Sequence, residues 1–224
     1  MTIKTRHQSL CRPCTALILL FLFATPLAYT EERLEKMDLQ VLSVKASQLK
    51  ERLGQDPSDY EALQGLGMVY FNMALKNSKP YAKTAVQYLE QAYQKKPDDN
   101  VVLCYLGSAY TLVAKDAWNP FSKLSYANKG FERMDEAIQK DSDNITIRLT
   151  RAYNSKNLPK LLNRRSFAYE DFEHLAGLFE KGLKVPPSLR VSVYRNLSAL
   201  YEEDGKTAEA NKYKILAEKS EKEK

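Results

Sequence analysis

The sequence predicts an all-α fold of antiparallel helix pairs stacked into a superhelix, and three observations predict it. The chain is rich in Ala, Leu, Lys, Glu and Tyr and holds 8 glycines in 224 residues, a balance that favours helices over sheet. The stretches "DPSDYEALQGLGMVYFNMA" and "KPDDNVVLCYLGSAYTLVA" align without a gap, and self-similarity of this kind marks a repeat array. Within them Leu63, Leu66 and Tyr70, like Leu103, Leu106 and Tyr110, keep the i, i+3, i+7 spacing of one helical face.

In chain order, residues 1–28 form a unit of their own. Lys4, Arg6 and Arg12 lead into "TALILLFLFATPLA", which ends in small residues. The run falls short of the roughly 20 apolar residues a membrane span needs and fits an export signal. A cut after Ala28 gives a periplasmic or secreted protein with no stable membrane span. Pro26 is a poor residue so near the cut, so an uncleaved anchor is the alternative. Cys11 and Cys14 precede the apolar run, so the pattern is not that of a lipoprotein. "CRPC" matches redox spacing but stands outside any strand–helix unit. Cys104 is then the remaining thiol, and one cysteine cannot form an internal disulfide. Without the first 30 residues the net charge falls from +6 to +3, which removes most of the case for nucleic acid.

Residues 29–55 contain "EERLEKMDLQVLSVKASQLKERL", an amphipathic helix expected to stop at Gly54 and to cap the array. Repeats follow at about 56–97, 98–142, 143–186 and 187–221, with 222–224 a charged tail. Each of the first two runs ten residues from a proline to a Leu-Gly pair: Pro57 to Gly67, Pro97 to Gly107. Glycine there lets a neighbouring helix come close. Ser58 and Glu61 read as a capping box. Pro80 opens a second helix that keeps Ala85, Leu89 and Ala92 on one face.

On these residues the chain resembles the tetratricopeptide repeat (TPR) family, whose units are helix–turn–helix pairs of about 34 residues. The small-Leu-Gly-Tyr signature of the family's first helix matches Leu63, Leu66, Gly67 and Tyr70, then Leu103, Leu106, Gly107 and Tyr110. The signature of its second helix matches Ala85, Leu89, Ala92 and Pro97. The first repeat carries about six extra residues near "LKNSK" and the second about eleven around "KDAWNPFSKLSY", measured against that period. In the second insertion Trp118 reads as a plug for broken repeat geometry, with an exposed partner anchor as its rival. The third repeat is degenerate, with Ala152 in place of glycine. The fourth recovers through Leu197, Ser198, Tyr201, Gly205, Ala210 and Ala217.

The resemblance implies a concave groove lined by the first helix of each pair. Carried over by position, it names Gln64, Met68, Phe71 and Asn72, then Cys104, Ser108, Thr111 and Leu112. The third register gives Leu149, Tyr153, Lys156 and Asn157, and the fourth Arg195. A bland reading packs Met68, Phe71, Leu112 and Leu149 inside the fold. Gln64 and Met68 stand where the family's chaperone-binding members carry Lys and Asn, so that carboxylate clamp is not expected.

The block from Ile145 to Phe167 has six basic residues and no acidic one. Arg148 and Arg151 occupy positions that suit apolar residues. Buried, they need carboxylate partners, and Glu170, Asp171 and Glu173 are the nearest. Lys156, Lys160, Arg164 and Arg165 form an alternative anion or acidic-peptide site. No catalytic group, cofactor site or metal-ligand cluster stands out: His7 lies in the signal and His174 is isolated. Asn144 and Asn196 fit a glycosylation sequon, with capping and helix surface the simpler roles.

The expectation is a non-enzymatic protein- or peptide-binding scaffold or adaptor in the cell envelope, its partner a protein or peptide and an acidic one included. The alternatives are a self-associating structural subunit and an accessory solute-binding component of a transport system.

Overall fold

The computed structural model describes residues 34–158 and 162–223. The proposed signal, residues 1–28, and Lys160 lie outside the described residues. Among those described, the chain is helical throughout, with no strand.

Helix α1 spans Leu39–Gln55. Four pairs follow: α2 (Tyr60–Lys76) with α3 (Ser78–Lys95), α4 (Asn100–Asp116) with α5 (Pro120–Lys140), α6 (Ile145–Lys156) with α7 (Arg165–Glu180), and α8 (Pro187–Glu203) with α9 (Thr207–Glu221). The two helices of each pair pack antiparallel, and each pair packs on the next. The leading helices α2 and α4, and likewise α4 and α6, also touch directly.

Local chemistry explains the helix starts. Asp38, Asp59, Asp99 and Asn144 each accept a hydrogen bond from the backbone N–H three residues on, at 2.8, 2.9, 2.9 and 3.2 Å, satisfying one orphan donor of the first turn. Asp59, Asp99 and Asn144 each stand two residues after Pro57, Pro97 and Ser142, so the third pair opens like the first two. The cap of α2 is thus Asp59 and not Ser58. Gly54 does not stop α1; the helix runs to Gln55, where Pro57 disfavours helical backbone at the residue before it.

The cores of the first two pairs combine aliphatic side chains with aromatic ones such as Phe71 and Tyr110. Leu63, Leu66 and Val69 of α2, Leu89 of α3 and Leu103 of α4 are each at most 1% exposed, a burial worth about 1.5–3 kcal/mol per side chain. Glycine sets the closest approaches. A Cβ at Gly107 would lie 2.6 Å from the Gly130 carbonyl oxygen and 2.9 Å from the Met134 backbone nitrogen; one at Gly67 would meet the Leu89 side chain at 2.7 Å. Gly130 of α5 is the reciprocal half of the α4–α5 contact.

The extra residues of both repeats lengthen helices. The stretch around "LKNSK" becomes the end of α2 and the start of α3, and "KDAWNPFSKLSY" extends α5 to 21 residues. With no gap to fill, Trp118 is 94% exposed, which overturns its reading as a plug.

Candidate functional site on the leading helices

Most expected groove positions of the first two pairs are interior. Met68, Phe71 and Asn72 are about one-twentieth exposed, Ser108 less, and Cys104 not at all. Phe71 packs edge-on against Tyr105, with ring centroids 5.2 Å apart, and Asn72 donates to its own helix at the Met68 carbonyl, 2.8 Å away. Cys104 Sγ lies 3.7 Å from the Ile147 carbonyl oxygen. The direct packing of one leading helix on the next turns these side chains inward, so they do not line an accessible groove. Leu112 and Leu149 are partly buried against apolar clusters. Gln64 is half-buried and donates to Asp99 at 3.3 Å.

The same row becomes polar from α4 onward. Asn154 Nδ2 donates to Ser108 Oγ at 2.7 Å, and Thr111 Oγ1 lies 2.7 Å from Asn154 Oδ1. One joint further on, the Tyr153 hydroxyl and Ser192 Oγ are 2.8 Å apart, and Lys156 Nζ donates to Asn196 Oδ1 at 2.8 Å. Asn154, Ser192 and Asn196 were not among the expected groove residues. Their signal was a run of amides and hydroxyls at matching helical positions.

At the C-terminal end of this row an open cleft of about 850 Å³ lies between α8 and the end of α9, lined by Val191, Ser192, Arg195, Asn196, Ser220 and Glu221 among others. Arg195, whose side chain is 67% exposed, pairs there with Glu221. Tyr153 of α6 and Asn157, just past its end, are also exposed. The accessible part of the expected groove is therefore its C-terminal half.

The basic block is a network inside the chain. Arg148 Nη1 donates to Asp171 at 2.7 Å and Arg151 Nε at 2.8 Å, and both guanidiniums also reach Glu170. Asp171 is fully buried; burial pushes its carboxyl above the ordinary range, and the bonds from Arg151 and Arg148 pull it back. Arg151 also pairs with Asp135 of α5 at 3.1 Å. Glu173 instead accepts from the Tyr201 hydroxyl.

The expected anion site is not assembled from its arginines. Arg164 clamps Asp135 with bonds of 2.8 and 2.7 Å and lies over the Phe167 ring at 3.8 Å. Arg165 pairs with Glu203 at 2.9 Å and Asp204 at 3.1 Å. Both guanidiniums are committed to carboxylates of the fold. His174 pairs with Asp143 at 2.7 Å.

An array of antiparallel helix pairs, each pair stacked on the next, defines the class of helical repeat proteins. No family model matches the chain, and no curated protein matches it. Among solved structures it is similar to TTC0263, a thermophilic TPR protein of Thermus thermophilus, at 17% identity over 85% of this chain and 91% of that one, with a TM-score of 0.58. It is also similar to MamA, at 17% identity over 80% of this chain and 87% of that one, with a TM-score of 0.55. The chain has the tetratricopeptide-repeat fold.

Proposed function

We propose that the chain is a non-enzymatic scaffold or adaptor of the cell envelope that holds an extended protein or peptide segment along its leading helices. The observation that carries this reading is the cleft beside Arg195. It continues the polar row of α6 and α8 and offers hydroxyl, amide and guanidinium groups side by side. The exposed Arg195–Glu221 bridge is worth little in water, so a partner carboxylate can take the place of Glu221 at small cost. The envelope location rests on the basic opening and apolar run of residues 1–28. N-terminal sequencing of native material tests it, and an intact Met1 in a soluble cytoplasmic fraction counts against it.

The partner is tested with a photo-crosslinking residue placed at Asn157, at Arg195 and, as a control, at Gln87 on the trailing helix α3, each in native cells. The reading expects one shared partner at the first two positions and none at Gln87. Equal capture at all three, or none at the first two, overturns it. Self-association draws on the outer faces of the terminal helices, where Val41, Val44 and Ile215 are 46%, 56% and 64% exposed. Light scattering separates this reading from the adaptor.

A further inference from the structure

The turn from α4 to α5 presents a cluster of large apolar side chains to solvent. Trp118, just before the Asn119 cap, is 94% exposed, Phe121 84% and Leu124 51%, and the last two, three residues apart, share one flank as α5 begins. Such groups are ordinarily the first to be buried, and here no neighbouring pair covers them. Lys115 and Lys123 stand exposed beside them.

Helices α2 and α4 run in the same direction and pack on each other, so the α2–α3 turn lies on the same edge. It adds exposed Lys76, Lys79 and Leu75, the last 51% exposed. The opposite edge holds the capping aspartates Asp59 and Asp99, with Asp56 and Asp98 beside them. One edge of the first two pairs therefore gathers lysines around exposed apolar side chains, while the other mixes its aspartates with Arg52, Lys95 and Lys96.

A second observation identifies what faces the basic edge. Lys76 Nζ donates to the Glu35 carbonyl oxygen at 2.8 Å, which fastens the start of the described chain to this edge. In the sequence, the apolar run of residues 15–28 lies a few residues before this fastened point. Among the described residues no helix is long and apolar enough to cross a membrane, so the edge itself has the means to rest on a bilayer and not to span it.

We propose that this edge docks on the surface of an anionic phospholipid membrane, with Trp118 and Phe121 seated at headgroup level and Lys79, Lys115 and Lys123 facing lipid phosphate. Aromatic rings carry both an apolar body and an affinity for the interfacial layer, and basic residues near an anionic surface add attraction that salt screens. Docking this way leaves the cleft at Arg195, two pairs further on, open to its own partner, so the two sites stand or fall separately.

Trp118 is the chain's single tryptophan, which makes its fluorescence a local probe. The full chain is mixed with vesicles of phosphatidylcholine and phosphatidylglycerol, with and without brominated phosphatidylcholine. The expected result is a blue shift of emission, quenching by the brominated lipid, and loss of both in vesicles of phosphatidylcholine alone. Phe121→Ala should weaken partition roughly tenfold, and Lys115→Glu with Lys123→Glu at least as much, each without moving the thermal midpoint. Co-sedimentation with unchanged Trp118 emission would assign the membrane contact to residues 1–33 and overturn the proposal, as would absence of binding. A blue shift produced by lipid-free envelope proteins but not by vesicles would make the edge a protein-docking surface, and the proposal would fall.

Discussion

Two helix pairs of this molecule solve the same packing problem by opposite means. Between α4 and α5 the backbones meet through Gly107 and Gly130, and the space is closed by removing side chains. Between α6 and α7 the two arginines of the leading helix, Arg148 and Arg151, take the places of Leu103 and Leu106, and the space is filled by guanidiniums around buried Asp171. The first solution tolerates no added atom. The second tolerates no missing charge, because a buried ion pair is costly once one partner is gone. A repeat fold thus constrains the shape of the pair interface and leaves its chemistry open.

The comparison breaks most visibly at Asp171. Asp171→Ala leaves two buried guanidiniums short of their central acceptor and should cost about 3–5 kcal/mol, read from chemical denaturation. Replacing Arg148, Arg151 and Asp171 together by leucine should restore stability to near the parent value or above it. If the triple variant is as unstable as Asp171→Ala, the network does more than fill space. Gly107→Ala drives a methyl into the α5 backbone and should cost about 1–3 kcal/mol. At Gly67 a Cβ would meet buried Leu89 at Cγ and Cδ2, both 2.7 Å, and its backbone nitrogen at 3.3 Å. The gain in helix propensity of about 1 kcal/mol offsets only part of that crowding, so Gly67→Ala should cost less than Gly107→Ala. Equal losses at both glycines would show that the two contacts are alike.

Effects smaller than that at Asp171 sharpen the picture at the edge of the network. Changing Arg164 and Arg165 together to alanine should lower stability by about 1.5–3 kcal/mol, chiefly through largely buried Arg164 and its two bonds to Asp135, and should leave binding at the Arg195 cleft unchanged. Lost affinity with an unmoved thermal midpoint would restore them as a binding site. The smallest expected effect is at Asp59, whose carboxyl is held below the ordinary range by the Ala62 backbone N–H and then by Arg52, against the effect of burial. A folded value below the unfolded one contributes stability above the unfolded pKa, and that contribution is lost as pH falls through the folded value. Asp59→Asn keeps a cap that does not titrate. Its thermal midpoint should therefore change less than the parent's on acidification.

The pair architecture was legible because its signals are local: the proline to Leu-Gly spacing, the leucines of one helical face, alanines on the trailing helix. The cap itself falls on Asp59, one residue after the expected Ser58. The buried arginines were legible too, since Arg148 and Arg151 stand where leucine belongs, and two of their three proposed partners, Glu170 and Asp171, are the ones found. Asp135 was not legible, because it reaches the network from α5 in the preceding pair, and nothing in the spacing of one repeat points across that joint. Gly130 escaped notice for the same reason, its meaning depending on Gly107 opposite. Groove positions carried over by register located the right helices. They could not reveal that Phe71 turns onto Tyr105, an outcome set by the side chains of the neighbouring helix. Trp118 was misread because extra residues were taken for a loop with a hole beneath it, when they extend a helix.

The polar row on the leading helices has a mechanical consequence. Helix α2 touches α4 and α4 touches α6 directly, whereas at the surface between α6 and α8 Tyr153 bonds to Ser192 and Lys156 to Asn196, beside an apolar cluster that includes Ala152, Val193 and Leu197. Each such bond is worth about 0.5–1.5 kcal/mol against its replacement by water, far less than separating an apolar seam. These polar bonds can exchange for bonds to a bound segment at little cost, while the apolar cluster beneath them keeps the last two pairs together. Cargo laid along the row can therefore replace the surface bonds of this joint without prying the pairs apart.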